Sequence, residues 1–168
     1  MKNFNQIIDE WSQNEAVLVL ARVVKTWGSS PRPVGSMMVI NENQKMSGSV
    51  SGGCVEGAVV KKAQALFNKH TAEKLSFGVS DEEAWSVGLS CGGSIEVYLQ
   101  AVDFSSNTVW HSLLKKRQSN QSCLLISDLN KNENWLIEEN GTVTGIPLPP
   151  MLIKEAQVAL EERSHKTL

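Results

Sequence analysis

Two of the three cysteines in this 168-residue chain stand against glycine pairs, in the orders Gly52-Gly53-Cys54 and Cys91-Gly92-Gly93. Paired glycines let a ligand come close to the backbone. A glycine-rich turn feeding a helix also exposes unpaired N–H groups at the positive end of the helix dipole, where a cysteine tends to ionise. Val55, Val59, Ala63 and Phe67 recur every four residues directly after Cys54, which predicts a helix there. Ser51, Gly52, Gly53 and Cys54 therefore read as a place to hold something negative with a thiol in reach. Cys91, Gly92 and Gly93 read as an opposite wall of the same cleft. On the residues alone, two unrelated tight turns with inert cysteines account for the pattern equally well. Cys123 lies inside an apolar run and reads as core.

Other residues near these turns bear on the same chemistry. Arg32, between Pro31 and Pro33 and beside Ser29 and Ser30, is a stiffly presented guanidinium suited to a bidentate hold on phosphate. A lone loop arginine is also commonly just solvated. Glu56, in the first helical turn after Cys54, favours the helix dipole; its functional alternative is to orient or deprotonate a ligand group. Trp27 and Trp85 flank the two turns and offer flat faces, although rim packing explains them as well. Several familiar chemistries fall away. Gly48–Gly53 has the glycine spacing of a phosphate-binding P-loop, but Cys54 and Val55 replace the lysine and the serine or threonine. No dinucleotide fingerprint or Cys-x-x-Cys pair is present. The scattered cysteines and His70, His111 and His165 lack the spacing of a structural zinc site.

The elements that must position these residues follow from periodicity. Phe4, Ile7, Ile8 and Trp11 predict a short amphipathic helix, and Ala16–Val24 a buried central strand interrupted only by Arg22. Residues 25–35, with two prolines and two glycines, read as a loop. Ser36–Ile40 and Lys45–Ser49 read as strands, the second leading into the glycine turn. After the helix come a short strand over Glu73–Phe77 and a loop over Gly78–Ser90. Ile95, Val97, Leu99 and Ala101 then alternate with Glu96, Tyr98 and Gln100, the mark of a half-buried strand. Asn107–Arg117 reads as a helix and Ser122–Ser127 as a strand. Asn140-Gly141 closes a hairpin between Trp135–Glu138 and Thr142–Thr144, and a final helix runs from Met151 to about Arg163. These connections predict an α+β fold, a mixed β-sheet with helices packed on it, in a single compact domain over residues 1–168.

Composition limits what such a domain does. Sixteen basic against eighteen acidic residues leave a formal charge of −2, with no basic excess for nucleic acid. No run is long and apolar enough for a membrane span, and Met1–Trp11 lacks the apolar core of a signal peptide. Three scattered cysteines fit a reducing, cytoplasmic compartment better than a disulfide framework.

Gly28-Ser-Ser-Pro-Arg32, Gly48-Ser-Val-Ser-Gly-Gly-Cys-Val-Glu56 and Gly88-Leu-Ser-Cys-Gly-Gly-Ser-Ile-Glu-Val97, in that order, resemble the XdhC/CoxI family over roughly residues 10 to 102. These are accessory proteins for the maturation of molybdenum hydroxylases such as xanthine dehydrogenase. The resemblance implies a chaperone that binds the molybdenum cofactor as cargo, supports its sulfuration and delivers it to the apo-enzyme. The implied partners are the hydroxylase large subunit and a cysteine desulfurase. Ser29, Arg32, Ser51, Gly52, Gly53, Cys54, Glu56, Cys91, Gly92 and Gly93 are the expected cofactor-binding residues, with the turn's N–H groups or Arg32 on the phosphate and a soft thiolate on molybdenum. No resident metal and no catalytic residue is expected. Many family members continue into a Rossmann-like domain; this chain reads as a short member without one, and a separately encoded partner could supply it. A thiol-dependent sulfur transferase or oxidoreductase acting through Cys54 or Cys91, a protein-binding scaffold, and a homodimer all stay open at this point.

Overall fold

The central strand forms where the apolar run is longest. In a computed structural model that describes residues 4–78 and 93–162, β1 spans Val17–Trp27, and Leu18 to Ala21 are wholly buried. It is flanked by β2 (Met37–Ile40) and β5 (Ser94–Asp103), with β3 (Met46–Gly48) outside β2 and β4 (Ala72–Phe77) outside β5. Every pairing among the described strands is antiparallel. Contacts divide the chain into two compact units, Met1–Ser105 and Ser106–Leu168, and this five-stranded sheet belongs to the first.

Helix α1 (Phe4–Asn14) packs against β1 and β3, burying Ile8. Helix α2 (Glu56–Phe67) covers one face of the sheet. Val59, Ala63, Leu66 and Phe67 from the helix meet Val19, Ala21, Val23, Met38, Ile40, Val97 and Leu99 in one core. At about 1.5–3 kcal/mol for each large aliphatic side chain removed from water, this stripe is what holds the helix. Two expectations change here. The strand continues through Lys25, Thr26 and Trp27, which read as loop, because they pair with Glu96, Ile95 and Ser94 after a register shift between Val23 and Lys25. In addition, β5 is covered on both faces: Tyr98 and Gln100 are as buried as Val97 and Leu99, with the Arg22 guanidinium 5.5 Å from the centre of the Tyr98 ring.

The second unit carries a separate sheet, β6 (Cys123–Ser127), β7 (Asn134–Glu138) and β8 (Val143–Thr144) in that order. Helices α3 (Thr108–Gln118) and α4 (Pro150–Glu161) pack against it. Asn107 caps α3 by accepting from the N–H groups of Val109 and Trp110, and Lys115, Lys116 and Arg117 suit its negative end. The hairpin forms as expected, through the three-residue connection Glu139-Asn140-Gly141. The Gly141 N–H donates to the Glu138 carbonyl at 2.9 Å and Gly141 takes φ +82°. Cys123 is half-buried rather than core, and burial pushes its thiol up from the ordinary range. The α+β class predicted from the sequence is therefore the class observed, drawn as two antiparallel sheets.

Candidate functional site

Antiparallel pairing brings the motif loops to one end of the first sheet. Trp27 pairs with Ser94 and Met38 with Gly48, so residues 28–36, residues 49–55 and Gly93 all leave the sheet at the same end of its strands. Two close approaches show how tightly they meet. A methyl group on Gly93 would overlap the Ser29 carbonyl oxygen and lie 2.8 Å from that of Trp27, so only glycine fits between these backbones. A methyl group on Gly52 would touch the Pro31 ring at 3.6 Å, in ordinary contact. Gly52 and Gly93 thus both lie against the 28–36 loop. Cys91 and Gly92 lie outside the described residues, as does Trp85.

The turn before α2 is built around Glu56, whose side chain folds back into it. One carboxylate oxygen, Oε1, accepts from the Ser49 hydroxyl at 2.7 Å and from the N–H groups of Val50, Ser51 and Gly52 at 3.1, 2.9 and 3.1 Å. The other, Oε2, accepts from the Ser51 hydroxyl and from the Gly53 N–H at 2.9 Å. Ser51 Oγ in turn accepts from the Val55 N–H, and Ser49 Oγ from the Gly52 N–H. Gly52 and Gly53, at φ +81° and +121°, give the backbone the left-handed path that aims these groups inward. Burial by itself would raise the Glu56 pKa. The hydrogen bonds from Ser51, Ser49 and the backbone outweigh it and hold the carboxyl at about 2.

An anion was expected at these N–H groups, and the protein supplies it itself. The N–H groups of Gly52, Gly53 and Val55, assigned from sequence to a ligand's phosphate or oxo groups, are already satisfied from within. Ser49 has a part that residue reading missed. A usable signal existed in the three-residue step from Gly53 to Glu56, the spacing at which a capping-box glutamate reaches back to an N–H.

Several residues of these loops remain exposed or partly so. Cys54 is half-buried at the start of α2, its side chain packed against the edge of the core. Gly52 and Gly53 are exposed, as is Ser29. Arg32 is exposed and has no charged partner among the described residues; the Ser30 hydroxyl donates to its carbonyl at 2.9 Å, stiffening the Pro31-Arg32-Pro33 bend. Trp27 is 70% exposed on the edge of the site. No cluster of three metal-ligating side chains occurs among the described residues, and no described helix is long and apolar enough to cross a membrane.

Comparison with known proteins adds a lineage. Residues 11–78 match the model of the XdhC and CoxI family. The chain is 24% identical over 153 residues to a probable xanthine dehydrogenase subunit of Bacillus subtilis, covering 90% of this chain and 46% of that protein. It is 34% identical over 82 residues to the molybdenum cofactor insertion chaperone PaoD of Escherichia coli, covering 48% of this chain and 25% of that one. The fold is also that of a crystal structure of a xanthine dehydrogenase from Bacillus halodurans, with a TM-score of 0.67 at 22% identity over 86% of this chain and 45% of that one. The chain thus spans less than half the length of each of these relatives.

Proposed function

We propose, for a chain that belongs through residues 11–78 to the XdhC and CoxI family, that it binds the molybdenum cofactor as cargo and passes it to a molybdenum hydroxylase. The observation that supports this reading is that Gly52, next but one to the half-buried Cys54, and Gly93 both lie against the 28–36 loop, whose exposed Arg32 has no charged partner among the described residues. The cofactor is a partly flat pterin dithiolene bearing a phosphate and an oxo-molybdenum centre, and it is both anionic and thiophilic. Cys54 gives the soft sulfur donor such a centre favours. Arg32 gives the planar, always-charged fork that suits phosphate, and it takes this role because the N–H groups of the turn are already filled. Ser29, Gly52 and Gly53 form the exposed backbone between them, and Gly93 sets the spacing of that surface. Cys91 and Gly92 keep their place as the expected second wall.

The finer steps belong to the same proposal. The chain supports sulfuration of the bound cofactor, with a cysteine desulfurase as sulfur source, and hands the product to the hydroxylase large subunit. The likeness to PaoD, an insertion chaperone, supports the carrier role over a catalytic one. No histidine is hydrogen-bonded to Cys54 among the described residues, which also weighs against a thiol enzyme with a paired base.

The test is gel filtration after incubation with molybdenum cofactor released from a donor enzyme, with molybdenum and pterin quantified in the protein peak. Wild type is expected to retain both. Cys54→Ser and Arg32→Ala are each expected to weaken retention about tenfold, which corresponds to roughly 1.4 kcal/mol. Retention that neither substitution changes overturns the site, and no retention by wild type overturns the carrier reading.

A further inference from the structure

We propose that the Ser49–Gly53 turn is a carboxylate receptor filled from within the chain, and that Glu56, its occupant, is the positioning residue for Cys54. The geometry fastens Cys54 on both sides through one carboxylate oxygen. On the amino side, the Gly53 N–H donates to Glu56 Oε2. On the carboxyl side, the Val55 N–H donates to Ser51 Oγ, and that hydroxyl donates to the same Oε2. The backbone of Cys54 therefore moves only if this relay opens. Glu56 is buried, at 5% exposure, and all six donors around its carboxylate come from residues 49–53.

The residues filling the receptor and forming it have distinct duties. The N–H groups of Val50, Ser51 and Gly52 converge on Oε1 and set the path of the turn, while Oε2 holds the thiol-bearing residue. Glutamine in place of Glu56 keeps one carbonyl oxygen for the first set. Its amide group, a donor, then faces the Gly53 N–H and cannot accept from it. Alanine empties the receptor altogether and leaves four N–H groups and two serine hydroxyls around a space shaped for a carboxylate.

This inference rests on the reading of Cys54 as a cofactor-facing thiol for its meaning, but it is tested without the cofactor. The experiment follows alkylation of Cys54 by neutral iodoacetamide, read by mass spectrometry of its peptide, in wild type, Glu56→Gln and Glu56→Ala. The Cys123 peptide serves as an internal control. Release of the half-buried thiol is expected to raise the Cys54 rate several-fold in Glu56→Gln and further in Glu56→Ala, with Cys123 unchanged. Added formate or acetate, entering the emptied receptor, is expected to return the Glu56→Ala rate toward wild type and to leave Glu56→Gln unaltered. A Cys54 rate that is unchanged in both variants, or an increase in Glu56→Ala that neither anion reverses, overturns the proposal. Should Glu56→Ala fail to fold, the Glu56→Gln rate decides alone. If wild type fails to retain the molybdenum cofactor while this pattern holds, the carrier reading falls and the positioning role stands.

Discussion

A carboxylate surrounded by six donors is a pH-sensitive fastening, and Glu56 gives it a definite sign. Its pKa falls from 4.5 to about 2 on folding, so the unfolded chain takes up the proton more readily than the native one. Its contribution is fully present above pH 4.5, amounts to about 3 kcal/mol, and is lost as pH falls toward 2. Urea unfolding should therefore show Glu56→Gln less stable than wild type by about that amount at pH 7, with the gap closing steadily between pH 4.5 and 2. A gap that stays constant across this range would place the cost in packing rather than in charge. At this scale the tight turn at Gly52 and Gly53 was legible, because few residue types other than glycine take its left-handed path. The inward turn of Glu56 was not. A glutamate in the first turn of a helix satisfies the dipole whichever way it points, and only the path of Gly52 and Gly53 decides its direction.

Among the elements, the ends of β1 and β5 do most to assemble the site, and Gly93 is where they press closest to the neighbouring loop. Gly93→Ala places a methyl group against the carbonyls of Ser29 and Trp27, which must move apart. The expected loss is about 2–3 kcal/mol, in the range of an overpacked core. Thermal unfolding should register it, and Ser29→Ala should not relieve it, since the clash is with backbone. The same junction shows what periodicity can and cannot supply. The apolar run of β1 and the alternation of β5 named both strands and the core-facing residues. The extension of β1 through Lys25, Thr26 and Trp27 was hidden, because the glycines and prolines of residues 28–35 follow directly and mark the stretch as loop. They become strand only through partners at Glu96, Ile95 and Ser94, remote in sequence. The burial of Tyr98 and Gln100 was hidden for a related reason: alternation tells which residues share a face and not whether the other face is covered.

For the molecule as a whole, both sheets have paired centres and open edges. In the first unit β1 and β5 each have a neighbour on both sides, while β3 and β4 are edges. Hydrogen exchange followed by mass spectrometry should find the amides of Leu18–Val23 protected roughly a hundredfold more than those of Met46–Gly48. Equal protection would mean that the sheet opens as one piece. The division into two sheets was not readable from the strands, since nothing in Cys123–Ser127 says which strand it will pair with. The order of the first sheet has a further consequence while the chain is being made. Its central strand emerges from the ribosome with β2 close behind, but its longer partner β5 follows about 66 residues later. At about 5–20 residues per second, this leaves one edge of an almost wholly apolar strand open for roughly 3–13 s. During synthesis that open edge is thus where a wrong pairing can form before the strand that completes the sheet has been translated.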